Sequence, residues 1–195
     1  MTYSELPAGY SLKKTINLRK GKPYAFWAAL LNLVLCVLSL YALHFLVPVT
    51  AIFEEKGGDY ILTLPRLLLD LVWIFVGLLI YAVAHLVLKG SFLKALGGMK
   101  PKFGIKGFYY YVGSRAYFSR GRYVLLILLP ELVAEALLIL LLLLLPPVCF
   151  WPLAFVHAFH ISRIGTSLLL TILLLREPNT ALFRNMGTLS AVFSK

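Results

Sequence analysis

Four long apolar runs separated by shorter polar stretches set the organisation of this chain. Tyr24 to Val49 contains no Lys, Arg, Asp or Glu. Leu67 to Leu88 is broken only by Asp70 and His85, and Tyr123 to Leu145 carries Glu131 and Glu135. Val148 to Leu175 holds His157, His160 and Arg163 and stops at Arg176-Glu177-Pro178. At 1.5 Å per residue each run is long enough, as a helix, to cross a hydrocarbon layer of about 30 Å. The pattern predicts transmembrane helices over about 24–49, 67–88, 123–145 and 148–175 within a single domain, 1–195. Pro146-Pro147 forbids one continuous helix through the last two runs and predicts a tight helical hairpin there.

The connecting segments predict an orientation. Lys13, Lys14, Arg19, Lys20 and Lys22 precede the first run, and eight basic residues from Lys89 to Arg122 lie between the second and third. The segment between the first and second runs carries Glu54, Glu55 and Asp59 against Lys56 and Arg66. The positive-inside bias therefore puts the N-terminus, the 89–122 loop and the 176–195 tail in the cytoplasm, with the chain in the inner (cytoplasmic) membrane. Within that loop, Lys102 to Val112 mixes aromatic and β-branched residues with Gly and Lys, which predicts a short β-hairpin at the interface. The expected class is an all-α integral membrane protein with that hairpin between helices 2 and 3.

Composition narrows the function classes. The chain is 61% hydrophobic, with a mean hydropathy of +0.87, too apolar for a water-soluble fold of 195 residues. The formal charge of +11 would suit nucleic acid, but the basic residues flank apolar runs and no recognition motif accompanies them. They suit anionic lipid headgroups instead. The polar stretch Met1 to Pro23 is unlike a signal peptide. Cys36 and Cys149, the two cysteines, have no metal-ligand or disulfide spacing and read as packed or lipid-facing residues.

Ionisable groups inside spans are costly and face partners or cavities. Glu131 and Glu135 are one helical turn apart on the third run; His157, His160 and Arg163 share a face of the fourth. Counting from the proline hairpin sets Glu135 level with His157 or His160, and Glu131 level with Arg163. Charge-paired helix packing is the favoured reading of this cluster, ahead of a polar cavity and of a zinc site built from His157, His160 and Glu135. His85, with Lys89 one turn on, reads as an interfacial histidine. Asp70 is expected to reach the interface or to pair with Arg66, and His44, with no evident partner, reads as interfacial.

The layout resembles a family of small membrane zincins catalogued as a domain of unknown function. The resemblance rests on Gly9-Tyr10-Ser11-Leu12-Lys13-Lys14-Thr15-Ile16, on Leu96-Gly97-Gly98 followed by Lys100-Pro101-Lys102-Phe103-Gly104, and on Ala116-Tyr117-Phe118-Ser119-Arg120. Leu129-Pro130 and Leu173-Leu174-Leu175-Arg176-Glu177-Pro178 complete it. In that family the second span ends in His-Glu-x-x-His-Gly, whose histidines hold zinc and whose Glu activates water. Here the stretch is His85-Leu86-Val87-Leu88-Lys89-Gly90. Leu86 stands at the base and Lys89 at the second ligand. Ser167 stands near the position where the family carries an acidic residue in its last span. The resemblance thus implies a degenerate site with no catalytic residue, no metal and no cofactor.

The expected function is a catalytically inactive zincin-like protein that serves as binding, accessory or scaffold partner of another membrane protein or peptide. The alternatives are an active zinc metallopeptidase with a relocated site and a small transport or lipid-interacting component. Membrane lipids are the other expected partner, and nucleic acid is not one.

Overall fold

The computed structural model describes residues 2–18, 22–56, 59–61, 63–106, 109–187 and 189–195. Strands β1 (Thr2–Tyr3) and β2 (Ser11–Ile16) lead into helix α1 (Lys22–His44). A 3-10 turn (Val49–Ile52) and the hairpin of β3 (Glu54–Lys56) and β4 (Asp59–Ile61) connect α1 to α2 (Leu64–Gly97). The hairpin of β5 (Lys102–Lys106) and β6 (Tyr109–Gly113), then β7 (Tyr117–Ser119), precede α3 (Arg120–Leu144). A 3-10 turn (Pro147–Cys149) joins α3 to α4 (Phe150–Leu175), followed by β8 (Leu182–Asn185) and β9 (Ser190–Ser194).

All four helices are long and apolar enough to cross a membrane. α4 is the central one. It packs on α1, α2 and α3, and a third of its apolar window (33%) is buried, against 11% for α1 and α2. Gly165 allows a close α1–α4 approach: a Cβ there would meet Asn32 Oδ1 at 2.5 Å and Leu31 Cγ at 3.1 Å. The same contact is tied by Asn32 Nδ2, which donates to Thr166 Oγ1 at 2.9 Å. At the end of α2, Gly98 adopts φ 65°, a left-handed conformation that favours glycine, and its N–H closes the helix on the Lys94 carbonyl. With 34 residues α2 is about 51 Å long, more than a hydrocarbon layer of about 30 Å requires, and its last turns run up to Gly97.

Those last turns lie under a sheet that corrects the all-α expectation. Five antiparallel strands run in the order β1-β7-β8-β9-β2. Leu182 pairs with Phe193 and Asn185 with Ser190 across β8–β9, and Ser11 pairs with Ser194 across β2–β9. Both tails and the α2–α3 connection therefore meet at one end of the bundle. Phe118, Phe183 and Val192 from the sheet bury against Leu93, Tyr123 and Leu174 from the helices. Tyr123 Oη and Ser190 Oγ share a 2.7 Å hydrogen bond in this core. Arg120 donates to the carbonyls of Leu175 (3.3 Å) and Glu177 (2.7 Å), satisfying groups that the end of α4 leaves open.

The expected hairpin between α2 and α3 is present, with Lys102 opposite Gly113 and Lys106 opposite Tyr109; residues 107–108 lie outside the described residues.

Candidate functional site

Four polar side chains of α2 and α4 gather around Glu131, which sits on α3 immediately after Pro130 and is 2% exposed. One turn apart on α2, His85 and Lys89 both reach it. His85 Nε2 lies 2.9 Å from Glu131 Oε2, and Lys89 Nζ donates to Oε1 at 2.7 Å. Ser167 Oγ, from α4, donates to the same Oε1 at 3.0 Å. His160, also on α4 and fully buried, sets Nδ1 3.8 Å from Oε2. Its Nε2 is 3.2 Å from the Glu131 backbone carbonyl, which can only accept, so Nε2 carries the proton. Nδ1 is then the lone-pair nitrogen, and Tyr81 Oη donates to it at 2.8 Å.

A second pair lies farther along the same helices. His157 Nε2 is 2.9 Å from Glu135 Oε1, and His157 Nδ1 is 3.1 Å from Ser39 Oγ of α1. Glu135 Oε2 is buried without a hydrogen-bond partner among the described residues, 3.6 Å from His160 Nε2.

Depth counting from the proline hairpin thus places Glu135 opposite His157 and His160. Glu131 likewise lies at the depth of Arg163, between His160 and Ser167 of α4, but its carboxylate is held by His85, Lys89 and Ser167, while Arg163 lies over the Phe159 ring at 6.0 Å. The reading of His85 as an interfacial histidine is corrected: it is 1% exposed, because α2 packs that face against α3 and α4. Asp70 pairs with Arg66 at 3.1 Å as expected. His44 accepts a hydrogen bond from the Val49 N–H at 2.9 Å. Tyr81 and the central position of Glu131 escaped the sequence reading. The available signal was that Tyr81 precedes His85 by one turn, on the same face.

The three positions where the resemblance implies zinc ligands, His85, Lys89 and Ser167, all bond this one carboxylate. As a ligand set they do not fit the ion. An ammonium offers no lone pair, and here it sits on Glu131. Among the described residues, a different trio has metal-compatible donors: one atom each from His85, Glu131 and His160 lies within 4.8 Å of the other two.

Beside this centre lies a cavity of about 770 Å³. α1 contributes Ala28 and Asn32 to its wall, and α2 contributes Ala82, Leu86 and Lys89. Arg163 and Ser167 line it from α4, and Asn185 and Ser190 close it at the sheet end. Glu131 reaches the wall, whereas His85 and His160 lie behind it. Tyr123, on the wall, connects the cavity to the sheet through Ser190.

No curated protein and no solved structure matches the chain. A family model does match, over residues 78–182, more than half of the 195 residues. That stretch runs from the middle of α2 to the start of β8 and contains His85, Glu131, His160 and Ser167. The chain therefore belongs to the family described as "Putative zincin peptidase".

Proposed function

We propose that this chain is a non-catalytic zincin-like membrane protein that binds a segment of another membrane protein in the cavity beside Glu131. The observation that carries the reading is the pairing at the cavity wall. Lys89 is committed to Glu131, and Leu86, at the position of the family's general base, presents an alkyl chain to the same space. A zincin needs a base within hydrogen-bond reach of the attacking water, and leucine has no lone pair to take its proton. The small side chains of Ala28 and Ala82 leave room for a polypeptide beside the polar Asn32 and Ser190. The positive-inside bias orients the sheet end toward the cytoplasm, where the basic residues meet anionic headgroups of the inner membrane.

The test is photo-crosslinking in native membranes from positions 28 and 82, on the cavity wall, with the exposed Phe26, which does not line the cavity, as the comparison, alongside peptide hydrolysis by the purified protein. Crosslinks to a discrete polypeptide from 28 and 82 but not from 26, without hydrolysis, support the proposal. Crosslinks to lipid alone would move the function to the lipid-interacting reading. Hydrolysis abolished by His85→Ala would sink the non-catalytic reading. That last outcome would favour a peptidase with a relocated site, a reading motivated by the metal-compatible donors of His85, Glu131 and His160.

A further inference from the structure

We infer that His85, Glu131 and His160 form a closed, structural site for one first-row divalent cation of the zinc type, pinning α2, α3 and α4 together behind the cavity wall. Two imidazoles and a carboxylate, with no thiolate, are a ligand set that zinc accepts. Bonds of roughly 2.0–2.1 Å in tetrahedral geometry put ligand atoms about 3.4 Å apart. The contacts of Oε2 to His85 Nε2 (2.9 Å) and to His160 Nδ1 (3.8 Å) bracket that spacing, and the two imidazole donors lie within 4.8 Å of each other, so side-chain shifts of up to about an ångström close the site. Tyr81 Oη, 2.8 Å from His160 Nδ1, is the oxygen within reach of a fourth position.

The surroundings prepare the donors. The Glu131 carbonyl fixes the His160 proton on Nε2, which leaves Nδ1 as the lone-pair nitrogen; Tyr81 Oη donates to it at 2.8 Å and would yield that lone pair to the ion. Lys89 and Ser167 both hold Oε1, which leaves Oε2 to the histidines. Orienting bonds of this kind are the outer support that metal ligands require. On coordination the His85 proton would reside on Nδ1, which is buried without a hydrogen-bond partner among the described residues, and Nε2 would be the ligand atom. Charge is balanced in part as well. A divalent cation near Lys89 needs more than one carboxylate, and Glu135 supplies the second, its buried Oε2 lacking a hydrogen-bond partner among the described residues and lying 3.6 Å from His160 Nε2. His85 and His160 are 1% and 0% exposed and do not line the cavity. The ion would therefore brace the helices and would not meet a substrate. The ligand set departs from the family's motif, since Lys89 is excluded and α3 and α4 contribute two of the three donors.

The full chain is purified in mild detergent on a histidine-free affinity tag, and its metals are measured by elemental analysis. Chelator-stripped protein is then titrated with cobalt(II), read by visible absorption. About one zinc-type ion per chain is expected, with a cobalt spectrum of tetrahedral nitrogen and oxygen ligation saturating near one equivalent. His85→Ala and His160→Gln should lose both signals, whereas His44→Gln, outside the cluster, should keep them. The cobalt titration of the unaltered protein is an independent arm that does not depend on the histidine variants folding. No retained metal together with no saturable cobalt signal overturns the inference, as does full metal retention by a folded His160→Gln protein. Metal without hydrolysis leaves the non-catalytic proposal standing, and hydrolysis would remove that proposal without touching this one.

Discussion

Glu131→Gln is the most informative single change in this protein. It preserves the shape of the side chain and one acceptor oxygen but removes the charge that Lys89 faces at 2.7 Å and His85 at 2.9 Å. Removing one member of a buried ion pair costs about 3–5 kcal/mol, because the remaining charge is left uncompensated. Lys89 is 31% exposed and can swing toward the cavity, which relieves part of this; about 2–4 kcal/mol remains. For a chain of this length that corresponds to a fall in Tm of about 4–16 °C, on the scale established for soluble domains of 150–250 residues. The assay is detergent-solubilised thermal unfolding, followed by the fraction of protein that stays monodisperse after heating. Lys89→Met in the same chain should restore much of the loss, with a coupling of about 1–3 kcal/mol, since the double variant contains no unpaired charge. A Glu131→Gln protein melting within about 1 °C of the parent would refute the reasoning, as would additive losses in the double variant.

Three further outcomes follow from other parts of the fold. Gly165→Val places a branched side chain where even a Cβ would meet Asn32 and Leu31, and should lower stability by about 1–3 kcal/mol in the same thermal assay, whereas Gly121→Ala, in open space, should have little effect. Hydrogen bonds from Lys14, then from Lys13, hold the Glu177 carboxyl below its usual range, so its contribution is present above about pH 4.3 and is lost as pH falls through the lowered folded value. Glu177→Gln should accordingly flatten the acid limb of the Tm–pH curve and leave its alkaline limb unchanged. Reporter fusions after Lys195 and within the α1–α2 connection should report opposite sides of the membrane, the C-terminal one cytoplasmic; one side for both would refute the orientation.

The apolar runs by themselves determined that there are four helices and roughly where each lies. A stretch of more than twenty apolar residues has few alternatives to a long helix, and Pro146-Pro147 had to separate the last two. The local signals of Lys102 to Val112 likewise determined the β5–β6 hairpin, whose two strands are neighbours in sequence. The five-stranded sheet was decided by tertiary structure. β2 pairs with β9 from the far end of the chain, and β8 and β9 are too short, and too buried on both faces, to show a strand alternation. The site divides in the same way. Helical spacing put His157 and His160 on one face, and the proline hairpin set them against Glu135, because both arguments are local. Which carboxylate His85 would meet depended on how α2 packs across α3 and α4, which no spacing along one helix encodes. That packing turned a histidine expected at the membrane surface into the buried partner of Glu131, and set His160 and Tyr81 around the same carboxylate.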